Sequence, residues 1–194
     1  MRKRKRLEDD RLYVDSVPSF QQAVKRRLET VLGMKLTIGE TSENHKRILC
    51  AIGPQYHQAK DSRRRVVVPL SSELWASVEI ILKEQAASCW LESTALRIFH
   101  GQISDDTKTP LFRAEWDFSE EALKRPHAQP HWQMDLALLK GGVTNLQVNR
   151  CHFAICAEWH REGGHLARLD EAERLPVWLG SCLTYVKAQA EQFS

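Results

Sequence analysis

A chain of 194 residues with 42% hydrophobic and 27% charged positions holds enough apolar material for one ordinary domain, which excludes a disordered chain or a scaffold dependent on disulfides. No apolar run approaches the length of a membrane span, and the basic start is followed by Leu7-Glu8-Asp9-Asp10 rather than the apolar stretch of a signal peptide, so a cytoplasmic protein without a membrane partner is expected. The net charge of +3 arises from 28 Lys and Arg against 25 Asp and Glu, but Arg2, Lys3, Arg4, Lys5 and Arg6 stand together at the start, so the remainder is net acidic.

In chain order, residues 1–15 read as a basic flexible arm and 16–194 as a single domain. The arm either solubilises the chain or contacts a polyanion, and Lys25-Arg26-Arg27 and Arg63-Arg64-Arg65 are further basic patches. Ser19 and Gln22 have capping-box spacing after Pro18, and Phe20, Val24, Leu28, Val31 and Leu32 keep helical spacing up to Gly33, predicting a first helix. Met34, Leu36 and Ile38 then alternate, a polar turn passes through Asn44, and the run from Arg47 to Ile52 returns, predicting a hairpin. Gly53 to Arg65 reads as a loop and Val66 to Leu70 as a short strand. Ser71 or Ser72 is the expected cap of a second helix reaching Ala87, with Leu74, Trp75, Val78, Ile81, Leu82 and Ala86 as its apolar stripe.

Strand-like runs follow at 91–100, 110–118, 131–139 and 146–159, the first two joined by a turn through 104–109 and the last two by one through 141–145. In the last run Phe153, Ile155, Ala157 and Trp159 share the core parity, opposite His152, Cys156 and Glu158. Pro176 opens a C-terminal helix lined by Val177, Trp178, Cys182, Tyr185, Val186 and Phe193. Helices before and after a run of strands with short connections predict an α+β domain, an antiparallel sheet of four or more strands with helices packed on one face. Cys50, Cys89, Cys151, Cys156 and Cys182 are an odd, scattered set and read as buried or free thiols of a reducing compartment.

Chemistry-bearing residues gather where two strand runs alternate. Arg113, Glu115 and Asp117 fall on one parity, with Phe112, Ala114, Trp116 and Phe118 on the other; His131, Gln133 and Asp135 repeat the scheme opposite Trp132, Met134 and Leu136. With Arg97, His152 and Glu158 they define one polar sheet face. Alternating Arg and Glu commonly form surface ion pairs, which accounts for Arg97, Arg113 and Glu115. His131 and His152 beside Asp117 and Asp135 are less ordinary, because Asp is depleted in strands.

Two mechanisms suit these residue types. Histidine moves protons near neutral pH while an arginine holds a phosphodiester, which supports metal-independent RNA cleavage. Alternatively Glu115, Asp117 and Asp135 hold Mg²⁺ for phosphodiester chemistry. His127 and His131 stand four apart, but Pro126 and Pro130 oppose a helix there. Cys156, His160 and His165 lack the spacing of a zinc framework, so no metal ligands are assigned, and the chain has no P-loop, dinucleotide-binding glycine pattern or nucleophile elbow.

The run Phe112-Arg113-x-Glu115-x-Asp117, then His127-x-x-x-His131-Trp132-x-x-Asp135, then Cys151-His152-Phe153 and a closing helix led by proline resembles uncharacterised small bacterial α+β proteins, some encoded with toxin–antitoxin or defence genes on mobile elements. The resemblance covers residues 90–190 and rests on short motifs; its members often carry a second histidine two residues after the strand histidine, where this chain has Gln133. It implies a prokaryotic protein directed at RNA or another phosphate-bearing partner. In that reading Arg113 binds phosphate, His131 is acid or base, and Asp117 and Asp135 orient it or hold a metal, while Arg97, Glu115, Gln133 and His152 contact substrate. The rival is a non-catalytic protein-interaction subunit of such an assembly, favoured by Gln133 and by the acidic balance beyond the arm.

Overall fold

The computed structural model describes residues 11–55, 57–59, 65–106, 108–119, 131–135, 150–154 and 174–192. Helix α1 spans Val17–Leu32. Its cap is Ser16, whose Oγ accepts from the Ser19 N–H at 3.3 Å, and not Ser19. Pro18 explains the difference: in a first turn its missing N–H has no partner to lose, so the helix starts ahead of it. Gly33 ends the helix at φ 70, and its N–H donates to the Glu29 carbonyl.

Strands β1 (Thr37–Glu43) and β2 (Lys46–Ile52) form the expected hairpin, turning on Asn44 and His45, both at positive φ. The segment read as a loop contains a short strand, β3 (His57–Ala59), which pairs with β4 (Arg65–Pro69).

The expected second helix is instead β5 (Leu74–Gln85), twelve residues of strand. Ala76, Val78, Ile80 and Leu82 alternate into the main core, while Trp75 is buried on the opposite face with Ala59, Val67 and Phe99. A strand buried on both faces loses its visible alternation, and its apolar residues then also satisfy helical spacing.

After a turn at Ala86 and Ala87 come β6 (Ser88–His100), β7 (Thr109–Asp117), β8 (His131–Asp135) and β9 (Arg150–Ala154), each antiparallel to the one before. The sheet runs β1-β2-β5-β6-β7-β8-β9, with β4 also joined to β5 through Val68 and Ala76. Helix α2 spans Arg174–Gln192.

Both helices lie on one face of the sheet, so the α+β architecture holds. Phe20, Val24, Leu28 and Leu32 from α1 and Leu175, Trp178, Leu179, Cys182, Leu183 and Val186 from α2 share a single core with the sheet. Trp116 and Trp178 meet with ring centroids 5.5 Å apart, and Trp132 packs against the same core. Two residues assigned to the apolar side of α2 are instead exposed, Val177 and Tyr185; Leu175, Leu179 and Leu183 take their place. Residues 12–14, read from sequence with the arm, belong to the packed structure. Leu12 and Val14 are buried, the Val14 N–H donates to the Cys89 carbonyl, and the Leu91 N–H donates to the Leu12 carbonyl. Among the described residues no helix is long and apolar enough to cross a membrane.

Candidate functional site

The face of the sheet turned away from the helices carries the polar residues in cross-strand rows. Register places Ser77, Arg97, Arg113 and Gln133 side by side on β5, β6, β7 and β8, with His152 next on β9. The neighbouring row runs Cys50, Glu79, Ala95, Glu115, His131. Adjacent strands lie about 4.8 Å apart, so long side chains in one row touch those in the next.

Contacts follow these rows. Arg97 Nη1 is 3.2 Å from Glu79 Oε1, and the pair is well shielded from solvent. Arg113 donates twice to Gln133 Oε1, from Nε at 3.1 Å and from Nη2 at 2.6 Å, and its Nη2 is 2.9 Å from Glu115 Oε2. The same Glu115 oxygen lies 3.9 Å from His131 Nε2, too far for a direct hydrogen bond but within reach of electrostatic attraction when the imidazole carries a second proton. Glu115 thus stands between a guanidinium and an imidazole. The fork of Arg113 against one amide oxygen fixes its plane, as a binding arginine requires.

This face is unevenly open, with the Arg113 and Glu115 side chains 34% and 22% exposed. His131 is 1% exposed and Gln133 7% exposed, so both sit well inside the molecule rather than on a flat solvated surface. At one end Val67, Trp75, Phe99 and Ala59 form a small apolar cluster that brings the β3–β4 hairpin over the face. That hairpin delivers Arg65. Burial holds the Arg65 guanidinium below its ordinary pKa, and the positive charges of Arg97 and Arg113 act in the same direction against the opposing pull of Glu79. Three arginines therefore share one electrostatic neighbourhood with Glu79 and Glu115.

The structure brings together Arg97, Arg113, Glu115, His131 and Gln133 from the sequence expectation, and the register adds His152 by backbone position. It separates the two aspartates. Asp117 lies at the C-terminal end of β7, where its Oδ1 accepts from the Ser119 N–H at 2.8 Å and closes a turn. Asp135 lies at the opposite end of the strand pair, beyond the Phe112–Met134 pairing and across from Arg150. At about 3.4 Å per residue that is on the order of 20 Å from Asp117. Shared parity placed them on one face, but antiparallel register sent them to opposite ends of it. No single Mg²⁺ ion spans Glu115, Asp117 and Asp135, and among the described residues no three His, Cys, Asp or Glu side chains gather to hold a metal.

Arg65 and Glu79 are the residues that sequence reasoning missed. Arg65 was legible only as the end of a basic run, and Glu79 was hidden in the segment read as a helix; reading that segment with a period of two places Ser77 and Glu79 on the polar face at once. Comparison with models of protein families, with curated proteins and with solved structures gives no match.

Proposed function

We propose that the polar sheet face binds a phosphate-bearing partner, with RNA as the leading candidate, and that His131 serves there as acid or base for phosphodiester cleavage in a cytoplasmic toxin–antitoxin or defence protein. The carrying observation is the register that sets Arg97 beside Arg113 in one cross-strand row and Glu115 beside His131 in the next. Guanidiniums held in fixed planes suit phosphate oxygens, and a carboxylate beside an imidazole steadies its charged form during proton transfer. The register keeps Asp117 and Asp135 apart, so the two do not act together in this reading. RNA is favoured because a histidine with an arginine suits metal-independent phosphodiester cleavage, and the strand motifs resemble those of uncharacterised small bacterial proteins, some of them encoded with toxin–antitoxin or defence genes.

The test is a titration with short single-stranded RNA over a range of salt, joined to a cleavage assay. Arg97→Met and Arg113→Met should weaken binding, each lowering the salt slope by about one phosphate contact. His131→Gln should abolish cleavage while leaving binding near the wild-type level. Absence of RNA binding in the wild type overturns the proposal.

A second reading has its own observation. His131 and Gln133 are buried, and Arg113 is already engaged by Gln133 and Glu115. Such a network also suits a non-catalytic subunit whose polar residues hold the sheet in one register. Binding without cleavage in the wild type selects this reading.

A further inference from the structure

We infer that the groove between α1 and α2 is a second oxyanion site, separate from the sheet face and independent of the function proposed for it, and that its ligand is a phosphate group. The groove is shallow and open to solvent, with about 390 Å³ of space, and is lined by Arg27, Thr30, Val31, Thr184, Lys187 and Ala188. It lies on the helix side of the sheet, away from Arg97 and Arg113.

Its two cations carry the inference. Among the described residues neither Arg27 nor Lys187 makes an ion pair, and none of the described lining residues is acidic. The Arg27 Nε–H is buried against Gly180, which does not line the groove, so Arg27 offers a ligand there its terminal nitrogens only.

Arg27 is also held in place. Its side chain crosses α2 at Gly180, where a Cβ would run into Nε and would lie 2.8 Å from Cγ and 3.0 Å from Cδ. Glycine at this point lets the guanidinium stem pass between the helices towards the groove.

The hydroxyls add shape rather than donors. Thr30 Oγ1 donates to the Arg26 carbonyl and Thr184 Oγ1 to the Gly180 carbonyl, so recognition of an anion falls to Arg27 and Lys187. Lys187 Nζ donates one long bond, 3.4 Å, to the Val31 carbonyl at the end of α1. That contact offsets the partial negative charge of the helix terminus, which otherwise opposes an anion, and leaves two ammonium N–H groups for a ligand. A guanidinium and an ammonium around a groove of this size suit a phosphate dianion, either free or as the head of a small phosphomonoester.

The experiment is calorimetric titration of the full chain with inorganic phosphate and, separately, with glycerol phosphate, at constant ionic strength. Saturable binding is expected, weakened at least about tenfold by Arg27→Met or Lys187→Met, since each removes a charge-assisted hydrogen bond. Lys46→Met, on β2 and outside both the groove and the arginine rows, should leave it unchanged. Tighter binding of glycerol phosphate points to a phosphomonoester as the source, and preference for inorganic phosphate points to the free ion; both uphold the site. Should a variant fail to fold, acetic anhydride labelling of the wild type replaces it: phosphate should slow modification of Lys187 and leave Lys46 unaffected. No saturable binding, binding that the two groove variants leave intact, binding weakened as much by Lys46→Met, or Lys187 labelling indifferent to phosphate overturns the inference.

Discussion

His131 shows how burial changes the expectation for a single residue. Parity alone placed it on a polar face, where substitution costs about 0.5 kcal/mol or less. At 1% exposure, beside the Glu115 carboxylate, it is instead a packed polar group. His131→Ala should therefore destabilise the fold by about 1–3 kcal/mol, measured by urea denaturation, because it leaves a void among polar neighbours. A cost below about 0.5 kcal/mol would show the imidazole to be solvated. For this reason His131→Gln, not the alanine variant, is the cleaner probe of catalysis.

Cys50 gives a pH prediction on the same face. Burial pushes its thiol pKa up, and Glu79, opposite it on β5, pushes it further. A raised pKa keeps the neutral thiol, and the thiolate is the reactive form. Alkylation of Cys50 by iodoacetamide should thus be slow at about pH 7.5 in the folded protein, with its half-maximal rate at a higher pH than in the urea-unfolded chain. Glu79→Gln should move that midpoint down. Mass spectrometry of the labelled peptide separates it from Cys89 and Cys182, and a midpoint at or below the unfolded value would contradict the assignment.

At the scale of elements, the central hairpin of β5 and β6 is the decisive feature, and its turn is strained. Ala86 has φ 53, whereas Ala87 does not enter the left-handed region, the pattern of a two-residue turn that favours glycine in its first position. An alanine there costs on the order of 1 kcal/mol relative to a residue without a Cβ. Ala86→Gly should accordingly stabilise the protein by about 0.5–1 kcal/mol, seen as a rise in the denaturation midpoint with unchanged slope. A lower midpoint would mean that the turn does not hold this conformation in solution. The rest of this element was readable only in part. Val78, Ile80 and Leu82 mark one core face, but Trp75 occupies the other beneath Val67 and Phe99, so the run fits a helical stripe equally well. By contrast α1 and the β1–β2 hairpin were legible, since each buries one face only and is bounded by clear punctuation at Gly33 and Asn44.

Across the whole molecule, charge is divided between a basic beginning and an acidic remainder, with arginines collected on one sheet face and Arg27 and Lys187 between the helices. Deleting residues 1–8 should weaken RNA binding and flatten the dependence of log K on log salt if the arm adds phosphate contacts to those of the sheet face. Identical slopes for the deleted and full chains would make the arm a bystander. The sequence by itself determined the α+β class, the helices at either end and the two-residue alternation that puts Arg113, Glu115, His131 and Gln133 on one face, because these depend on local periodicity and turn chemistry. Only the tertiary structure decided which of them meet. Strand register joined Glu115 to His131 and carried Asp117 and Asp135 to opposite ends, while the folding over of the β3–β4 hairpin brought in Arg65. Register and hairpin docking are set by packing between segments distant in sequence, and a period read along one strand holds no information about its neighbour.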